Sequence, residues 1–283
     1  MATTILTSFT CKEGESFLAL RNINEDHFKK RQYEYAALID SRDFRQIDVA
    51  VLSRLETLGV RSHVDDLDPE AEDEKRPWIF SRDCLEIDVG LNKSGSRRLT
   101  LFVNHLKSKY AETASDREKA DKLRERQAKA VLEIVRSRFP GAKFNSEFFA
   151  VVGDLNDEPT SPSLKPLVES SGLVDALARI SVLEDRWTHW YRSENAVSQL
   201  DHVLLSPALV TATAGSQPRI ERRGISFSRV LRDGKPAPKL THFHRFDGDP
   251  NPIDVDFRAA ERFEGVTSEE DASDHCPVFL GIP

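Results

Sequence analysis

The sequence predicts an α/β protein whose sheets lie inside and whose helices lie outside. Short apolar runs bounded by turn residues recur along the chain. Several are continuous rather than alternating, as in Leu99-Thr100-Leu101-Phe102-Val103 and Phe148-Phe149-Ala150-Val151-Val152, the pattern of strands covered on both faces. Between them runs one long segment of helical periodicity with its own start and stop signals. At 283 residues and 39% hydrophobic, with no internal repeat and no linker rich in Gly, Ser or Pro, the chain has material for one large core, and a single domain over residues 1–283 is expected.

Strands are predicted at residues 4–9, 17–20, 35–39, 47–52, 85–91, 99–103, 148–152, 203–205 and 277–282, each a short run of apolar residues with turn formers on its flanks. The long helix is predicted to start at Ser115, where Ser-Asp-Arg-Glu reads as a capping box closed by Glu118. It runs to Phe139, where Pro140-Gly141 stops it, with Leu123, Ala128, Val131, Ile134 and Val135 as the buried face. Further helices are expected over residues 24–31 and 163–170. The acidic segment 65–77 reads as a solvated loop, and periodicity fades over residues 208–272.

Composition narrows the function. A formal charge of −7 argues against a general nucleic-acid coat, although a local basic surface is compatible with it. Cys11, Cys84 and Cys276 are widely spaced without a C-x-x-C pair, which points to neither a disulfide framework nor a zinc knuckle. No run approaches the roughly 18 apolar residues of a membrane span, and the first residues lack a basic start followed by an apolar core. A cytoplasmic monomer without membrane attachment is expected.

The chemistry-bearing pattern is one layout repeated: an apolar strand ending in a polar cluster. The clusters are Asn104-His105-Leu106-Lys107-Ser108, Gly153-Asp154-Leu155-Asn156-Asp157, Leu200-Asp201-His202-Val203-Leu204-Leu205-Ser206 and Ser273-Asp274-His275-Cys276-Pro277-Val278. Each alone is an ordinary turn; their recurrence is not.

With these motifs in this order, and with Asp43-Phe44-Arg45-Gln46-Ile47-Asp48-Val49-Ala50-Val51-Leu52-Ser53-Arg54 upstream, the sequence resembles the endonuclease/exonuclease/phosphatase superfamily over residues 17–282, and its nuclease-like bacterial members most. The resemblance implies a deoxyribonuclease I-like four-layer α/β/β/α sandwich of two packed mixed sheets, with the site where the clusters converge. It implies Mg²⁺- or Mn²⁺-dependent phosphodiester hydrolysis with nucleic acid as substrate. His275 is then the general base and Asp201 its orienting carboxylate. Asp154 and Asn156 sit beside the phosphorus, His105 donates to the phosphate, Asp274 ligates the metal, and Arg45 and Lys107, with Lys109, are phosphate-binding candidates.

The sequence departs from the family at its start. Phe17-Leu18-Ala19-Leu20-Arg21-Asn22 aligns with the family's L-A-L-Q-E segment, so Asn22 takes the place of the metal-binding Glu, and Thr10 that of an upstream Asn; the N-terminus reads as shortened. Glu25 or Asp26 could stand in from the following turn. Gln46 replaces the usual glycine. His202 reads as structural, and the basic positions Arg117, Lys119, Lys122, Arg124, Arg126 and Lys129 as a solvated helix face. A metal loop around His242, His244, Asp247, Asp249 and Asn251 is disfavoured because Pro252 stands where a calcium loop needs glycine. Two other readings stay open: hydrolysis of a small-molecule or lipid-headgroup ester, and binding of a phosphate-bearing ligand or protein partner without turnover.

Overall fold

The computed structural model describes residues 5–7, 16–71, 73–109, 113–191, 196–222, 242–243, 253–254 and 273–282. In chain order the elements are β1 (Ile5–Thr7), α1 (Ser16–His27), β2 (Tyr35–Ile39), β3 (Val49–Ser53), β4 (Thr57–Arg61), β5 (Cys84–Gly90) and β6 (Arg98–His105). There follow α2 (Ala114–Arg138), α3 (Lys143–Ser146), β7 (Phe149–Asp154), α4 (Lys165–Val168), β8 (Val174–Asp175), β9 (His189–Tyr191) and β10 (Ala196–Ser198). The chain continues through β11 (Asp201–Leu205), α5 (Pro207–Ala212), β12 (Arg219–Ile220), β13 (His242–Phe243), β14 (Ile253–Asp254) and β15 (Val278–Phe279).

Two sheets dominate: a six-stranded sheet in the order β4-β5-β6-β7-β11-β8 and a three-stranded sheet in the order β1-β3-β2. The continuous apolar strands face two cores, as their composition requires. On one face of the large sheet Phe102, Phe149 and Val151 pack against Ala128, Val131 and Val135 of α2 and Leu167 of α4. On the other, Leu99, Leu101, Val103, Ala150 and Val152 meet Ala37, Val49 and Val51 of the small sheet. The small sheet's outer face buries Ala50 and Leu52 with Leu20 of α1 and Tyr33. Helix, sheet, sheet, helix is therefore the layer order, the mixed α/β sandwich expected. Phe139 and Phe149 stack at 4.6 Å in the helix-side core, with Phe102 edge-on to both.

Several sequence expectations are corrected. Residues 17–20 are not a strand. They lie within α1, whose span replaces the helix expected over 24–31; a four-residue apolar run fits either period, and Leu20 is buried where helix α1 meets the small sheet. Helix α2 is capped by Thr113, not Ser115. The Thr113 hydroxyl accepts from Asp116 N and donates to the Asp116 carboxylate, an N-cap two residues upstream of the predicted one. Arg124 is not on a solvated face: it is fully buried and bonds Asp157 and Ser163 Oγ. The acidic loop is not wholly solvated either, because Asp68 is buried and pairs with Arg126 at 3.0 Å. Cys84 and Cys276 are free buried thiols. Cys11, Thr10 and most of the disfavoured metal loop lie outside the described residues.

Candidate active site

Strand register assembles the site. Parallel pairing of β6 with β7 sets His105 opposite Asp154, and antiparallel pairing of β7 with β11 sets Asp154 opposite Asp201. Three adjacent strands thus present one row of polar ends, as two-sided burial of those strands dictates. His275 joins from the segment before β15. That segment is held beside β9 by a bridge between His189 and His275, by Trp190 N on Asp274 O at 3.0 Å and by Cys276 N on Thr188 O at 2.6 Å.

Within the cluster His275 Nδ1 lies 2.8 Å from Asp201 Oδ2, and Nε2 points toward Asp154 Oδ2 at 3.8 Å. The Thr188 hydroxyl accepts from Leu200 N and Asp201 N, fixing the start of β11. His105 Nε2 is 3.2 Å from Asp154 Oδ2. Burial works against a charged His275, but Asp201, Asp154 and Asp274 outweigh it and push its pKa up to about 10. Asp201 is likewise opposed by burial, yet His275 and the Thr188 hydroxyl keep it ionised below the usual carboxylate range. Asp154 goes the other way: burial raises it, and Asp201 adds to the rise against the pull of His275. Burial, with the cations Arg82 and His275 nearby, holds His105 neutral.

Two backbone features support Asp154. Gly153 has φ +121°, and a Cβ there would meet Asn104 O at 2.1 Å, so only glycine lets β7 lie this close to β6. Asn156, at φ +56°, donates its backbone N to Asp154 Oδ1 at 2.8 Å and its side-chain Nδ2 to Asp154 Oδ2 at 3.1 Å and Leu106 O at 3.0 Å. Both amide hydrogens of Asn156 are thereby engaged inside the protein, and the side chain positions Asp154.

The phosphate-binding candidates lie to the His105 side. Arg45 bonds Asp43 through both Nε and NH2, and Asp43 also receives Arg82 Nε at 2.8 Å, which holds its carboxyl well below the usual range despite burial. Arg82 is itself buried and reaches Leu106 O, the residue after His105, at 3.1 Å. Lys107 is half-buried, and burial together with Arg82 and Arg45 lowers its pKa. Lys109 instead pairs with Asp157, behind the row. His202 is buried, with Nδ1 3.1 Å from Asp175 Oδ2 and Nε2 2.9 Å from Asp157 O.

Asp274 is exposed, and a hydrogen bond from His189 at 3.4 Å keeps its carboxyl ionised well below the ordinary range, with burial opposing. Asn22, the other metal-ligand candidate, is not brought to the row. It stands exposed on α1, and no described hydrogen bond joins it to the cluster; the helix replaces the strand end that the alignment assumed. Two groups of side chains have ligand atoms close enough to share an ion: His189, Asp274 and His275, and Asp154, Asp201 and His275. The first joins two imidazoles, which suit softer metals, to one solvent-facing carboxylate, and it is this carboxylate, Asp274, that offers the oxygen a hard divalent ion takes.

Residues missed by sequence reasoning are His189, Thr188 and Arg82. His189 sits 4.5 Å ring to ring from His275, and its Nδ1 is buried without a partner among the described atoms. The aromatic run Trp187 to Tyr191 ahead of the Leu200-Asp201-His202 motif is the signal that could have exposed it. Arg82 has no such signal.

A family model described as "Endonuclease/Exonuclease/phosphatase family" matches residues 18–282. Among solved structures, the chain is similar to a beta toxin from Staphylococcus aureus, at 14% identity and TM-score 0.55, over 100% of this chain and 87% of that one. It is similar to sphingomyelinase C from Streptomyces griseocarneus, at 14% identity and TM-score 0.53, over 100% and 86% respectively. It is also similar to a 3'-5' exonuclease from Neisseria meningitidis, at 16% identity and TM-score 0.51, over 98% and 88%. At these identities the likeness is one of fold. No curated protein matches the chain.

Proposed function

We propose, from the premise that this chain belongs to the endonuclease/exonuclease/phosphatase family, that it is a divalent-metal-dependent phosphodiesterase acting on nucleic acid. The observation that carries the reading is the row His105, Asp154 and Asp201 on three adjacent strands, with His275 Nδ1 on Asp201 at 2.8 Å.

A phosphodiester repels an attacking water through its own charge, so hydrolysis needs a proton acceptor for the water and donors for the phosphoryl oxygens. His275 Nε2 takes the proton from the water as its oxygen bonds phosphorus and the P–O bond to the leaving oxygen breaks, that oxygen taking a proton from solvent; Asp201 fixes the Nδ1–H tautomer and stabilises the imidazolium that forms. Asp154, held by Asn156, orients the water beside Nε2. His105, neutral in its buried position, donates to a phosphoryl oxygen, and Lys107 and Arg45 supply positive charge on that flank. A divalent cation, Mg²⁺ or Mn²⁺, held by Asp274 with His189 beside it would supply positive charge to the phosphoryl oxygens and offset the carboxylates that hold the proton on His275.

The test is Mn²⁺-dependent hydrolysis of bis(p-nitrophenyl) phosphate and of single-stranded and duplex DNA by the wild-type chain, beside His275→Ala and a chelator control. Turnover abolished by both, with cleavage of either DNA, is the expected result; turnover indifferent to His275→Ala would sink the reading. One observation favours a second reading, ligand binding without turnover: Asn22 stands apart from the row, which leaves the ion few carboxylates. A folded protein that binds DNA but hydrolyses none of these substrates would favour it.

A further inference from the structure

The tip over residues 42–46 presents a side chain that folding does not use. Phe44 is 87% exposed. The turn beneath it is nevertheless tightly made: Asp43 Oδ1 accepts from Arg45 N at 2.9 Å, Gln46 N reaches Asp43 O at 2.9 Å, and Gln46 sits at φ +56°. A tip built this firmly could have turned its ring inward and gained the free energy of burial; it holds the ring in water instead.

The tip is coupled to the catalytic row. Asp43 is shared by Arg45 and the buried Arg82; Arg82 bonds Leu106 O, and Asn156 bonds the same carbonyl. The Arg45 guanidinium lies 5.7 Å from the ring centroid, and Arg42, two residues before Phe44, lies over Trp78 at 3.7 Å and pairs with Asp65. Lys107 lies within the field of the same guanidinium: burial first, then Arg82 and Arg45, lowers its pKa.

We propose that Phe44 is a stacking platform for an unpaired nucleobase of a single-stranded nucleic acid, next to the phosphate bound at the row. This rests on the phosphodiesterase reading above. A nucleotide offers a flat base for the ring and a phosphate for Arg45 and Lys107, which matches an exposed aromatic beside an arginine. A lipid surface needs contiguous apolar area, and the residues flanking Phe44 are Asp43 and Arg45.

The experiment is fluorescence anisotropy of the full chain, in chelator so that nothing is cleaved, with an end-labelled single strand of about eight nucleotides and an abasic strand of the same length. The wild-type chain is expected to prefer the base-bearing strand by about tenfold, Phe44→Ala to lose the preference, and Phe44→Trp to keep it. Melting temperatures confirm that both variants fold. Equal binding of the two strands by the wild type, binding of neither, or a preference that survives Phe44→Ala overturns the platform. Binding to sphingomyelin vesicles that depends on Phe44, without base preference, overturns it in favour of a lipid contact. Turnover of bis(p-nitrophenyl) phosphate reports on the phosphodiesterase reading separately: a chain that cleaves the diester but ignores bases loses only this inference.

Discussion

On the six-stranded sheet, adjacent strands bring His105, Asp154 and Asp201 into one row, and His275 closes onto it from the segment before β15. On the three-stranded side, the residue aligned with the family's metal-binding glutamate, Asn22, stands exposed on α1, and the hydrogen bonds described between the Asp43–Arg45 tip and the row run through Arg82 and Leu106 O. The difference follows from packing. Strands β6 and β7 are buried on both faces, which leaves one register open to them; a slip of one residue would swap every core side chain to the opposite face. Chemistry at the ends of such strands is placed by the whole core, whereas chemistry on the outer layers is placed by a few local bonds.

The largest expected effect is on the sheet side. His275→Ala should lower kcat/KM for bis(p-nitrophenyl) phosphate by about a thousandfold with unchanged circular dichroism; a loss under tenfold would show that the row is not the reacting centre. Glu158 sharpens the comparison through stability. It is buried behind the row and accepts from Gln199 N at 3.1 Å, and burial pushes its pKa from 4.5 up to about 7. Between those pH values the folded chain keeps a proton that the unfolded chain releases. Stability should therefore fall as pH rises through this window, by about 3 kcal/mol in all, and level off above it. Denaturant melts of Glu158→Gln should lack that component of the fall; identical pH profiles would refute it.

The outer layer should respond less. Gln46 holds a left-handed conformation at φ +56° where only glycine is unstrained, so Gln46→Gly should stabilise the chain by about 1 kcal/mol in chemical denaturation. A loss of stability would mean that the Gln46 side chain does more than bear the strain. Asn22→Ala should change Mn²⁺-dependent turnover by less than about twofold. A large drop would erase the contrast between the two sides and restore Asn22 to the metal's surroundings.

How much of this was legible in the sequence follows the same division. The continuous apolar runs of β6 and β7 carried both their strand assignment and their two-sided burial, and the polar clusters that follow them proved to be neighbours in space. The run Phe17 to Leu20 fits a strand or one helical turn equally in sequence, and packing against Ala50 and Leu52 makes it helix. Arg124 reads as exposed in sequence because it stands among other charges, although it is buried. Its partner Asp157 is 33 residues away, a pairing no local pattern reveals. The role of Asn156 as a brace for Asp154 was hidden for another reason: it depends on where Leu106 O lies after folding. His189 was missed because β9 is only three residues long, too short for a period to show.

Asp201 acts through His275 as one unit, which a double-mutant cycle reads out. In the wild-type background Asp201→Asn should cost about a hundredfold in kcat/KM for bis(p-nitrophenyl) phosphate, and in the His275→Ala background it should cost less than about twofold, because the ring it orients is gone. The same hundredfold loss in both backgrounds would show that Asp201 works independently of His275.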